Sequence, residues 1–173
     1  TAYIERLRQM SDMFGQHGIS TLLLMQQDAY HEKCGGNGFP DWAVMGNSNL
    51  PFPDFRPEDS TETFFDKLFN NKRCSESVWA DFWANRSGPH GVGLQESFAG
   101  WWRATAQEFS GSTNLLGYDL FNEPNTANYT LLSRLYGAAT RAIRSVDPKT
   151  TIYWEQLVSY ASEDYGKESP PPR

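Results

Sequence analysis

Ile4, Leu7, Met10 and Phe14 recur at three- and four-residue steps. This spacing predicts an amphipathic helix over residues 2–14, stopped by Gly15 and Gly18. Residues 19–25, Ile-Ser-Thr-Leu-Leu-Leu-Met, form a nearly continuous apolar run, the pattern of a strand buried on both faces. The run turns polar at Gln26, Gln27 and Asp28, and alternation puts Leu22, Leu24, Gln26 and Asp28 on one face. Turn chemistry follows in Cys34-Gly-Gly-Asn-Gly-Phe-Pro40 and Pro51-Phe-Pro53. Two short apolar faces break it, Phe64, Phe65, Leu68 and Phe69, then Val78, Trp79, Phe82 and Trp83. Residues 29–93 are too long for an ordinary strand-to-helix loop and read as an inserted lid or rim. Leu94, Phe98, Trp101, Trp102 and Phe109 mark the next helix, ended by Gly111. A strand over 115–121 and a loop over 125–129 come next. Leu132, Leu135, Tyr136, Ala139, Ile143 and Val146 make a third long helix, stopped by Asp147-Pro148. A short strand over 151–154 ends at Glu155. The tail, 166–173, contains Ser169-Pro-Pro-Pro-Arg173 and reads as extended or disordered.

The order helix, strand, insertion, helix, strand, helix, strand predicts parallel strands joined by right-handed crossovers. A complete eight-stranded α/β barrel takes about 250 residues, and this chain has 173. It therefore reads as one domain, 1–173, that is either a small open sheet or an interior piece of a barrel.

Charge and composition narrow the function. The formal net charge is −6, with no basic cluster, so nucleic acid is not an expected partner. No apolar run is long enough to span a membrane. No leader pattern opens the chain, which begins directly in a helical pattern, as a processed or excised segment does. Aromatic residues make up 14%, and such rings serve either as core or as stacking platforms for sugars. Cys34 and Cys74 are the two cysteines, and Asn85-Arg-Ser and Asn128-Tyr-Thr are two glycosylation sequons. Together they point to a secreted or lysosomal protein with Asn85 and Asn128 as acceptors and Cys34 bridged to Cys74; two unbridged thiols and two chance sequons are the alternative.

The chemistry concentrates in Asn114-Leu-Leu-Gly-Tyr-Asp-Leu-Phe-Asn-Glu-Pro124. Glu123 stands where this apolar strand ends, and Pro124 cannot donate to a sheet ladder. A carboxylate at the C-terminal end of a parallel strand is where barrel enzymes place their chemistry; a strand-to-loop turn is the plain alternative. Gly117-Tyr-Asp-Leu-Phe-Asn-Glu-Pro124 resembles the acid/base strand of retaining glycoside hydrolases of family 5. Leu22-Leu-Leu-Met-Gln-Gln-Asp-Ala-Tyr30, followed by Gly36-Asn-Gly-Phe-Pro-Asp-Trp42, resembles the third-strand region of that family's endoglycoceramidases and related glycosylceramidases.

The resemblance implies a (β/α)8 TIM barrel, of which this chain supplies about strands three to five plus the long insertion. It implies cleavage of the β-glycosidic bond between a sugar headgroup and ceramide, by two carboxylates and without cofactor or metal. Glu123 matches the general acid/base. Asn122 matches the residue that meets the sugar's 2-hydroxyl or orients the nucleophile, and Asp28 matches a sugar-binding aspartate. Gln26 can bond a sugar hydroxyl. The family's third strand usually reads Leu-Asp-Met-His-Gln-Asp; here Leu24 and Gln26 stand in place of the Asp and the His. The family's nucleophile, a glutamate on strand seven, has no counterpart in these residues. Glu155 ends the next strand but does not match that position. The expected partners are a glycan or glycolipid, with a membrane surface as a further contact; the two apolar faces of the insertion either lie beside a lipid chain or are amphipathic helices packed on the barrel. The rest of the barrel is expected from another chain or from further residues. The alternative is an inactive glycoside-hydrolase-like module that binds glycan or serves a structural role in a larger assembly.

Overall fold

The computed structural model describes residues 2–47, 72–126 and 128–156. In chain order the described elements are α1 (Ala2–Gln16), β1 (Thr21–Leu24), α2 (Lys72–Trp83), α3 (Leu94–Phe109), β2 (Leu115–Asp119), α4 (Tyr129–Arg144) and β3 (Ile152–Tyr153). Short 3-10 turns lie at Glu32–Cys34, Asp41–Asn47 and Pro89–Gly91. The residues form two compact units, Thr1–Met25 with Gln95–Arg173, and Gln26–Leu94. The apolar face expected at Phe64–Phe69 and the tail 166–173 lie outside the described residues.

The first unit holds a parallel sheet in the order β1-β2-β3. Pairing continues past the strand ends: Met25 N donates to Asp119 O at 3.1 Å, Leu120 N to Tyr153 O at 3.0 Å and Asn122 N to Met25 O at 3.0 Å. It stops before Pro124, which has no N–H to offer. Gly117 is required where it stands, because a Cβ there would lie 2.5 Å from Cε2 of Tyr153. One face of the sheet is covered by the core: Trp102, Phe109, Tyr118, Leu120, Phe121, Leu132, Leu135 and Ile143 are buried. The indole Nε1 of Trp102 donates to Leu120 O at 3.0 Å, which fixes α3 on β2.

Two expectations change. The spacing of α1 points to Ile4, Leu7, Met10 and Phe14 as its inward face, yet Met10 and Phe14 are exposed while Ile4 and Ser11 are buried. The helix is turned by polar contacts: Ser11 Oγ lies 2.7 Å from Thr21 Oγ1, and Asn114 Nδ2 donates to Ser11 O at 2.6 Å. Gly15 continues that stripe, close against Asn114. The apolar run of β1, read as buried on both faces, is covered on one only. Leu22 is 45%, Leu24 36% and Tyr153 44% exposed. Three strands cannot close on themselves, so this face stays open among the described residues.

The second unit has an aromatic core. Tyr30 stacks on Phe39, centroids 3.9 Å apart, and Trp79 and Phe82 meet the pair edge-on. Val78, Trp79 and Phe82 are buried, and Trp83 stacks on Trp79. The second apolar face of the insertion is therefore core, not a surface for a lipid chain. Rings that exclude water from each other gain more by packing together than by facing solvent.

Candidate active site

Glu123 follows β2 at the C-terminal end of the sheet, half-buried, between half-buried Asn122 and buried Pro124. The sheet holds the Asn122-Glu123 backbone from both sides. Asn122 N donates to Met25 O at the end of β1. Glu123 N donates at 2.8 Å to Oε2 of Glu155, which follows β3. Glu123 has φ of 44°, a left-handed conformation. For a residue with a Cβ this costs about 1–2 kcal/mol, and a following proline restricts the backbone further. A hydrogen bond from an amide to a carboxylate contributes about 1.5–3 kcal/mol, enough to offset it.

Glu155 is itself held. The hydroxyl of Tyr136, buried on α4, donates to Glu155 O at 2.8 Å. Burial raises the Glu155 carboxyl above the ordinary glutamate range; the bond from Glu123 N–H lowers it, and the charges of Asp119 and Glu123 raise it again. Asp119 closes β2, and burial raises its carboxyl too. Its Oδ1 is buried without a hydrogen-bond partner among the described residues. Its register partners are Leu24 and Tyr153. Leu24, the residue that departs from the family pattern, thus lies beside a carboxylate, where it offers no hydrogen bond.

Gln26 and Asp28 belong to the second unit. Gln26 is exposed, and its Nε2 donates to Gln27 O at 3.2 Å. Asp28 is half-buried and pairs through its backbone with Asn37, N to O at 3.1 Å and back at 2.7 Å. Gly36 permits this pairing, since a Cβ there would overlap the carbonyl of Asp28. The glycine-containing segment 36–42 is thereby joined to Asp28 by geometry as well as by motif. Asn122 and Glu123 lie together in the first unit; they are adjacent in the chain and share the clamp just described.

His31, Glu32 and Asp41 place one ligand atom each within 4.8 Å of one another. Both ring nitrogens of His31 are already engaged. Nδ1 accepts from Lys33 N at 3.0 Å, capping the short turn, and Nε2 lies 3.1 Å from Oδ1 of Asp41. With Nδ1 an acceptor, Nε2 carries the proton and donates to Asp41, so this set is a cap and a hydrogen bond rather than a metal cage.

Cys34 is buried and is not a free thiol, being disulfide-bonded; Cys74 lies in α2. Asn85 is half-buried with its side chain against Gly93. Asn128 is exposed at the start of α4.

Sequence reasoning missed Asp119 and the bond from Glu123 to Glu155. A carboxylate inside an otherwise apolar strand was the available signal for the first. The second joins residues 32 apart in the chain and has no local signature.

The model of the cellulase family, glycosyl hydrolase family 5, matches residues 56–171. The chain is 30% identical over 178 residues to an endoglycoceramidase of Cyanea nozakii, a match covering 88% of this chain and 35% of that protein. Endo-glycoceramidase II from Rhodococcus sp. superposes with a TM-score of 0.70 at 26% identity, covering 88% of this chain and 35% of that one. A second structure of that enzyme, in complex with ganglioside GM3, gives 0.70 at 23% identity, over 97% and 42% of the two chains. The chain spans about a third of the length of the curated relatives it matches. The three parallel strands are accordingly part of an α/β barrel of the TIM type. With a carboxylate after each of β2 and β3 and a family match over most of its length, the chain belongs to glycosyl hydrolase family 5.

Proposed function

We propose that the protein carrying this chain is a retaining β-glycosidase that hydrolyses O-glycosyl bonds of glycosphingolipids at the sugar–ceramide linkage, with Glu123 as its general acid/base. The observation that carries this reading is the position of Glu123: the C-terminal end of a central parallel strand, its amide held by Glu155 on one side and the amide of the preceding Asn122 held by Met25 on the other. The relatives' names support the substrate class, since the similar proteins are endoglycoceramidases and one was solved with ganglioside GM3.

In such a reaction Glu123 gives its proton to the departing glycosidic oxygen as a second carboxylate attacks the anomeric carbon. It then removes a proton from the water that releases the sugar. In this reading Asn122 hydrogen-bonds the sugar; Gln26 and Asp28 are sugar-binding candidates on the sequence alone. The nucleophile comes from residues outside this chain. A secreted or lysosomal location fits the sequons and Cys34.

The decisive experiment is Glu123→Gln in the full protein that carries these residues, assayed on glucosylceramide and on an aryl β-glucoside with a good leaving group. Loss of a general acid lowers turnover of the lipid by about 10²–10⁴-fold and spares the first step on the activated glucoside, so a glycosyl-enzyme accumulates. Unchanged turnover of both substrates would remove Glu123 from the mechanism. Binding of the glycolipid with no turnover by the parent would favour an inactive module, the reading that Leu24 beside Asp119 supports.

A further inference from the structure

We infer that Glu155 is the positioning residue of this site, holding the general acid/base through its main chain rather than attacking the sugar. The inference rests on the reading of Glu123 as that acid/base. Oε2 of Glu155 accepts from Glu123 N at 2.8 Å, so the carboxylate is directed at the backbone of the neighbouring strand end. Glu123 sits at φ 44° ahead of a proline, a conformation that a residue with a side chain leaves unless its surroundings hold it. The Glu155 carboxylate does so from one side, as the Met25 carbonyl does through Asn122 from the other.

Glu155 is in turn anchored by Tyr136, whose hydroxyl donates to its carbonyl. The ring of Tyr136 lies 6.2 Å, centroid to centroid, from that of Trp154, the residue before it. A chain of contacts therefore runs from α4 through Tyr136 and Glu155 to the amide of Glu123. A catalytic carboxyl must be held within about half an ångström of its working position to act efficiently. The left-handed turn at Glu123 sets where its side chain points, and the carboxylate of Glu155 helps keep that turn. Oε2 of Glu155 is engaged by the Glu123 amide, which leaves Oε1 alone to face a substrate.

The test compares Glu155→Gln and Glu155→Ala in the full protein that carries these residues. Glutamine keeps an acceptor oxygen; alanine removes it. On an aryl β-glucoside, Glu155→Ala is expected to lower kcat about 100-fold with KM changed less than about threefold, and Glu155→Gln to restore kcat to within about fivefold of the parent. With 15N-labelled glutamate, the amide proton of Glu123 is expected to move upfield in Glu155→Ala and to hold its position in Glu155→Gln. An unmoved Glu123 amide overturns the contact, as does a Gln variant as impaired as Ala. Azide that restores turnover to Glu155→Ala and yields the α-glycosyl azide makes Glu155 the nucleophile and overturns the positioning role. If the parent hydrolyses no glycoside, the glycosidase reading fails, and the amide shift still decides whether Glu155 holds Glu123.

Discussion

The hydroxyl of Tyr118 donates to Oδ2 of Asp147 at 2.8 Å, joining the middle of β2 to the turn after α4. Both residues are buried, and Asp147 accepts three further bonds, from Thr150 Oγ1 at 2.6 Å and from the amides of Lys149 and Thr150 at 3.1 Å each. Burial by itself would raise this carboxyl; the bonds from Thr150, Tyr118 and Lys149 outweigh it and hold the group below the ordinary aspartate value. The lowered group contributes stability above the ordinary carboxylate range, lost as the pH falls through that range toward its folded value. Asp147→Ala in the full protein is expected to cost about 3 kcal/mol at pH 7. Urea denaturation at pH 7 and at pH 3 checks this: the gap between parent and variant should narrow at the lower pH.

Asp119→Asn should have the opposite sign. Burial raises this carboxyl, its Oδ1 has no partner among the described residues, and its charge acts on Glu155. A carboxyl raised by folding contributes stability below its unfolded value and loses it as the pH rises through its folded value. Replacing it with the neutral amide is expected to add about 1 kcal/mol at pH 7 and almost nothing at pH 4. Melting curves at the two pH values decide; equal effects at both would remove the charge as the cause.

Asn128 caps α4: its Oδ1 accepts from Thr130 N at 3.0 Å and from Leu131 N at 3.2 Å. Asn128→Ala is expected to cost about 1 kcal/mol, and Asn128→Asp much less, in the same melting assay. Because the cap uses Oδ1, the amide nitrogen is left for a glycan. We propose that Asn128 carries one in a secretory host, which peptide mass mapping before and after glycan release would reveal by a shift on that peptide alone or together with that of Asn85.

For the cysteines we propose the pairing of Cys34 with Cys74. Non-reducing digestion should yield one linked peptide containing both, and reduction should lower the melting temperature, a bridge over such a loop contributing about 3–4 kcal/mol. Cys34 linked to any other thiol would rule the pairing out.

The isolated chain of 173 residues is expected not to hydrolyse glycosides. A retaining reaction needs a nucleophile beside the acid/base, and the open sheet face bearing Leu22, Leu24 and Tyr153 favours self-association. Light scattering should show aggregates, and a fluorogenic β-glucoside should stay intact. Turnover abolished by Glu123→Gln would show that both carboxylates are already present in this chain.

Local periodicity was enough to place α1, α3, α4 and all three strands within a few residues, because helix and strand patterns are written in neighbours three, four or two residues apart. It was also enough to put Glu123 at a strand end, since Pro124 interrupts the ladder wherever it falls. Other features depend on residues that only folding brings together. The inward face of α1 was decided by Ser11 meeting Thr21 and Asn114, polar contacts that override an apolar spacing. The ring cluster of Tyr30, Phe39, Trp79 and Phe82 decided between a lipid-facing surface and core for the second apolar face of the insertion, in favour of core. The hold of Glu155 on Glu123 exists because β2 and β3 run side by side; their residues are distant in the chain, and no local pattern encodes a bond between them.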